Sequence, residues 1–399
     1  MSTLSTTFAV LALSLGASAA GGDDPRPNDP STDPYTEGGK QEFLDAAGYV
    51  SMGGFKFATK DTKQIDAFMA TSDIRWIETE HFELGFALGP YVVKQAEKKA
   101  FRAELTELSE IFPSIKPKAK KIDPWLRAHM YAHRLEKAYD AFLEIIQVEQ
   151  SAFPDGSKPW DLTGTYMGEG PYVGQKGKFE VIILPSEAAH VSFLREYFGL
   201  SVKKTQRWNI IPEDTLAIVT HIGQSQFKKD SALHAHLYFN LAINLLDGYK
   251  HYSYDSPIWL REGLGHFMER RIDPRFNTFD SSEGSLPEMT KKSDWQPEVV
   301  KLVRSKKAPR MAELINVKTY GELELEHHFA TWSMVDFLVA TRPDDFATFL
   351  GTIKGRMDEK GYPLTTDLKG AHREAFKSVF GWSYSQFDQA WAEWVSANY

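Results

Sequence analysis

Histidines and carboxylates crowd one stretch of this chain. Five of its twelve histidines, His221, His234, His236, His251 and His266, fall between residues 221 and 266. Glu262 and His266 stand four apart, and so do His236 and Asn240. On a helix that spacing puts two side chains on one face, one turn apart. Imidazoles and a carboxylate placed in this way can converge on a divalent ion. His236, Glu262 and His266 are therefore a candidate three-ligand metal set, and zinc is the cofactor those ligand types suit. The same residues also have a structural reading. Histidines often satisfy core hydrogen bonds, and Glu262 could pair with a basic neighbour such as Arg261 or Arg270, because a buried carboxylate needs a partner. His129 and His133 share the spacing, but Met130 sits where a general base would, and Arg127 and Arg134 disfavour a cation there.

Two consecutive helices must carry the candidate residues. Ser231 to Leu246 reads as one, with His236 on it, and Pro257 to Arg271 as the next, with Glu262 and His266. Upstream, His81 to Leu88 alternates polar with apolar residues, the period of a half-buried strand. Phe179 to Pro185 and Leu216 to Thr220 are short β-branched runs that predict buried strands. Between them and the first strand, Tyr131, Leu135, Ala138, Phe142 and Ile145 recur at helical spacing, which predicts a long amphipathic helix from Pro124 to Val148. Gly168 to Gly174 reads as a loop. Downstream, residues 273 to 310 are expected to be loop-rich. Helices then carry Phe329 to Leu338, Pro343 to Ile353 with Asp344 and Asp345 in the first turn, and His372 to Phe380, closed by Gly381. In the last helix Ser385 is the expected N-cap. The predicted fold class is α+β: a sheet-bearing part over 43–230, then a helix pair and a helical C-terminal subdomain over 231–399. Residues 20–42, rich in Pro, Asp and Gly, read as a disordered linker.

The segment Pro257-Ile-Trp-Leu-Arg-Glu-Gly-Leu-Gly-His-Phe-Met-Glu269 resembles the helix that carries the glutamate ligand in gluzincin, or peptidase-MA-like, metallopeptidases, with Glu262 at the ligand position. The segments beginning His328-Phe-Ala-Thr-Trp, Arg342-Pro-Asp-Asp-Phe and Val379-Phe-Gly-Trp-Ser resemble successive elements of exported bacterial members. The resemblance covers roughly residues 80 to 397. It implies a zincin fold, in which a small sheet lies over an active-site helix pair and a helical subdomain closes the cleft. In that family a His-Glu-x-x-His helix supplies two ligands and the general base. The family spacing places Phe239, Asn240 and Ile243 at those three positions. Phe and Ile cannot coordinate zinc, and the Asn amide has no useful pKa for base catalysis. A shifted register, His236-Leu-Tyr-Phe-Asn240, keeps one histidine but places Leu at the base. The resemblance therefore implies a pseudopeptidase, without catalytic residues, whose cleft takes a peptide or protein. The alternative is a zinc-dependent hydrolase with relocated ligands near Glu262. A structural role in the cell envelope is a third reading.

Composition excludes other classes. The chain has 399 residues and a net charge of −8, and no Lys/Arg block offers a nucleic-acid surface. It has no cysteine, which removes disulfides, thiolate metal sites and a Cys nucleophile. Nucleophile-elbow, Walker and dinucleotide-binding glycine motifs are absent. The apolar run Phe8 to Ala20, with Ala17-Ser18-Ala19 as a cleavage site, reads as a signal peptide over 1–19 and predicts export to a periplasmic or extracellular location. No later segment is apolar for the ~18 residues a membrane span needs.

Overall fold

Five strands form the central sheet of the computed structural model, which describes residues 25–157, 164–253, 256–279, 293–364 and 366–399. The signal-peptide reading lies outside these residues. In spatial order the strands are Arg75–Glu78, Phe82–Phe86, Phe179–Leu184, Thr215–His221 and Gln206–Ile210. The two outer pairings are antiparallel and the two inner ones parallel. Phe179–Leu184 and Thr215–His221 are buried along their whole length, as expected of strands covered on both faces. Their alternation separates two cores. Val181, Ile183 and Ile218 face the large core with Phe142 of the Pro124–Ile146 helix, whereas Ile182, Leu184 and Val219 face Phe193 and Leu194 of the Glu187–Phe198 helix.

One end of the sheet carries a row of acids. Glu78 pairs in register with Glu83, and Glu83 with Glu180 on the next strand. Burial, followed by the neighbouring Glu78, pushes the Glu83 carboxyl up to about 8, and burial also raises Glu180 well above the carboxylate range. Lys178 Nζ binds Glu78 at 2.9 Å, and Lys56 binds Glu213 at 3.2 Å nearby. A carboxyl whose pKa is raised on folding stabilises most below its unfolded value and loses that stabilisation as pH climbs through its folded value. Thermal stability should therefore fall between about pH 5 and pH 9. Glu83→Gln should flatten that fall and raise the melting temperature at the alkaline end. An unchanged pH profile in thermal denaturation of Glu83→Gln would exclude this account.

The N-terminal segment corrects the linker expectation. Residues 25–42 are packed onto the sheet-bearing part. Asn28 Nδ2 donates to Ile74 O at 2.9 Å, Arg75 Nη2 donates to Pro27 O at 3.0 Å, and the Tyr35 hydroxyl bonds Asp123. Buried Asp33 lies 3.0 Å from His129 Nε2, and the Tyr49 hydroxyl lies 3.0 Å from His129 Nδ1. His129 is thus a structural histidine. The segment is ordered by polar partners far away in sequence, which composition does not register.

After the sheet the chain is helical, in line with the α+β expectation. Three helices position the site: Asp230–Gly248, Ile258–Ile272 and Leu325–Thr341. In the first, every residue except Ser231 and His234 is buried. Glycines permit close crossings. A Cβ on Gly265 would meet Phe239 Cδ2 at 2.8 Å, and one on Gly263 would meet the Thr331 carbonyl oxygen at 2.6 Å. Two details differ from expectation. A helix, Gln296–Arg304, lies in the stretch read as loop; it is short and anchored mainly by Trp295 and Val299, too few positions to show a period. The last helix is capped by Ser383, not Ser385, because Gln386 completes a capping box with it.

Candidate functional site

Glu262, His266 and His328 come together in the core between these helices. All three are fully buried. One ligand atom from each lies within 4.8 Å of the others, and among the described residues this is the one group of three or more such side chains so placed. Glu262 and His266 share a face of the Ile258–Ile272 helix, as their spacing predicts. His328 comes from the first turn of Leu325–Thr341, which crosses that helix at Gly263. His266 Nε2 lies 2.9 Å from His328 Nδ1, and Glu262 Oε2 lies 3.6 Å from His266 Nε2 and 3.5 Å from His328 Nδ1. Neither Glu262 oxygen has a hydrogen-bond partner among the described residues.

A second carboxylate supports His266 from behind. Glu269 Oε1 lies 2.7 Å from His266 Nδ1, and the Thr278 backbone N–H donates to both Glu269 oxygens, at 3.1 and 2.9 Å. Burial pushes the Glu269 carboxyl well above its usual range and the His266 imidazole well below its own. The imidazole therefore favours its neutral form. Aromatic rings seal the group: Trp295 at 4.9 Å, Phe239 at 5.1 Å and Phe279 at 5.8 Å from His266, centroid to centroid.

The structure separates His236 from the set proposed for it. Its Nε2 lies 2.7 Å from Thr205 Oγ1 and its Nδ1 3.2 Å from Thr278 Oγ1. Burial, followed by the charge of Arg207, lowers its pKa to about 3, so it is neutral near neutrality. It is Phe239, one turn further along the same helix, that meets His266. The expectation that Glu262 pairs with Arg261 or Arg270 is corrected as well. Arg261 Nη2 binds Asp247 at 2.7 Å, and Arg270 binds Asn277 and stacks 4.0 Å above the Trp295 ring.

Above Phe239 opens a cavity of about 390 Å³. His236, Asn240, Thr205 and Thr278 give it polar walls, and Phe239 and Phe279 an apolar one. Lys204, Arg207 and Arg275 also line it, with Arg275 Nε 2.9 Å from Asp273 Oδ1, and no carboxylate is on the lining among the described residues. Arg207 Nη1 donates to Asn240 Oδ1 at 2.9 Å, and Asn240 Nδ2 donates to His236 O at 2.8 Å.

These placements decide which residues could hold a metal. Phe239 and Ile243 present no lone pair, and the Asn240 oxygen is committed to Arg207. The three positions that the gluzincin resemblance assigns to the His-Glu-x-x-His motif therefore do not fit a zinc ion. Glu262, His266 and His328 are of the donor types that do. His328 is the residue that sequence reasoning left out of the set. It lies 62 positions from His266, and no local spacing links the two. Compared with known proteins, the chain matches no family model, no curated protein and no solved structure.

Proposed function

We propose that this chain is an exported, zincin-like binding protein that does not cleave peptides, and that the cavity over the Asp230–Gly248 helix is its ligand cleft. The observation that carries this reading is the place of Phe239. It lines the cavity on one side and packs against His266 on the other. A peptide in the cleft would meet an apolar ring and the Asn240 amide where hydrolysis needs a metal-activated water and a base. Lys204 and Arg207 on the lining make a peptide or protein segment bearing a carboxylate the ligand to test. The convergence of His328 on Glu262 and His266 favours a second reading, a hydrolase with relocated ligands, but all three side chains are fully buried and Phe239 stands between His266 and the cleft.

The test is equilibrium binding of fluorescent acidic peptides, with cleavage followed in the same samples with and without added zinc. Binding without cleavage is expected. Arg207→Ala should weaken it by about tenfold, the loss of a hydrogen bond to a charged group. Zinc-dependent cleavage, or binding indifferent to Arg207→Ala, would overturn the proposal.

A further inference from the structure

We infer that Glu262, His266 and His328 form a closed structural site for one divalent transition-metal ion, zinc by ligand type, beneath the cavity and independent of what the cavity binds. Three observations lead to it. The first is the size of the ligand triangle. Its edges are 2.9, 3.5 and 3.6 Å, and a tetrahedral ion with bonds of about 2.0–2.1 Å sets its ligand atoms about 3.3 Å apart. An ion enters this triangle with shifts of only a few tenths of an ångström.

The second observation is the state of Glu262. Its two oxygens are wholly buried and lack hydrogen-bond partners among the described residues. Burying a carboxyl in that way is costly unless something else satisfies it. The nearby guanidinium groups do not serve, since Arg261 is directed to Asp247 and Arg270 to Asn277. A cation held by one or both oxygens would satisfy the group, and bidentate binding would bring the donor atoms to four.

The third is the support behind His266. A metal-binding imidazole commonly gives its other ring N–H to a carboxylate, which fixes the ring and turns the remaining lone pair to the ion. Glu269, held by the Thr278 N–H, stands at Nδ1 in that way while Nε2 faces the triangle. Among the described residues, the Phe239 and Phe279 rings stand against His266 and line the cavity, and the Trp295 ring packs on His266 as well. The chemistry implied is that of a site that braces the Ile258–Ile272 and Leu325–Thr341 helices, not one that activates water.

The experiment uses the full chain, metal analysis by mass spectrometry and thermal unfolding. After stripping with a chelator and reloading with zinc chloride, about one ion per chain is expected. The melting temperature should rise by about 5 °C or more on reloading. Cobalt in place of zinc should give the visible absorption of a four-coordinate nitrogen–oxygen site. Glu262→Gln and His328→Gln, near-isosteric changes, should each weaken zinc binding at least about 100-fold, with folding checked by circular dichroism. No zinc uptake and no thermal shift by the wild-type chain would overturn the inference whether or not the variants fold. Undiminished uptake by either folded variant would overturn it too. Zinc-dependent cleavage lost in folded Glu262→Gln would overturn the closed, structural reading of this site, whereas cleavage that persists in that variant would end only the non-catalytic reading of the cleft.

Discussion

Asp230→Ala should destabilise the protein by about 3–5 kcal/mol, the cost of leaving buried partner charges uncompensated. Asp230 is wholly buried at the start of the Asp230–Gly248 helix. Arg134 Nη1 binds its Oδ2 at 2.7 Å, Arg127 Nη2 lies 3.3 Å from Oδ1, and the Tyr131 hydroxyl donates to Oδ1 at 2.9 Å. Burial alone would raise the Asp230 carboxyl, but the two guanidinium groups overcome it and hold it below the usual carboxylate range. Removing the carboxylate leaves Arg127 with the Gly89 carbonyl oxygen and the Tyr91 and Tyr131 rings but no ion-pair partner among the described residues, and leaves Arg134 with Glu104 as its ion-pair partner. A loss of that size is a large part of the ~5–15 kcal/mol available to a folded domain. Urea denaturation measures it directly. A midpoint close to wild type would mean that water or a rearranged side chain replaces Asp230, and that the network does not anchor the site helix. Because the carboxyl is depressed on folding, its contribution is present above the unfolded Asp pKa. That contribution disappears as pH falls through the folded value.

Gly263→Val is the second large effect. Gly263 lies where the Ile258–Ile272 helix crosses Leu325–Thr341. A Cβ there would stand 2.6 Å from the Thr331 carbonyl oxygen and 2.8 Å from Val335 Cγ2. The side-chain contact can relax by rotation, but the carbonyl cannot, so the helices must separate. Overpacking of this kind costs about 1–3 kcal/mol, and the backbone contact places Val at or beyond the upper end. The same separation would draw His328 away from Glu262 and His266. A lower melting temperature should therefore accompany the loss of any zinc uptake. Gly265→Ala is the informative contrast, because its Cβ would meet the Phe239 ring at 2.8 Å. In the Gly265→Ala background, Phe239→Leu should recover part of the stability, a coupling that a double-mutant cycle reads. Since Ala and Val both raise helix propensity over Gly, a loss at Gly263 reports the crossing, and unchanged stability with Ala and with Val would refute it.

The elements legible in the sequence are those whose cause is local. Tyr131, Leu135, Ala138, Phe142 and Ile145 repeat with the helical period, and all five are buried in the Pro124–Ile146 helix. The β-branched runs at Phe179–Leu184 and Thr215–His221 are the two strands buried along their whole length. Residues 25–42 depart from the linker expectation for the opposite reason. Asp33 and Asn28 look like linker polar groups until His129 and the Ile74 carbonyl are brought to them by the fold.

The candidate site divides along the same line. Four-residue spacing on one helix is enough to put Glu262 and His266 on one face, because helix geometry is set by the backbone. Spacing also made His236 look like their partner, yet a side chain's direction across a helix–helix interface depends on which faces meet. The close crossing at Gly265 turns Phe239 toward His266, while His236 lies with Thr205 and Thr278. The third member, His328, is supplied by a helix 62 residues away. By itself the sequence determined a cysteine-free α+β chain, its principal helices and strands, and the Glu262–His266 pair. Only the tertiary structure decided that His328 joins the group, that rings of Phe and Trp pack against it, and that Phe239 lies between His266 and the cavity. Those outcomes come from packing among distant segments, which no local period encodes.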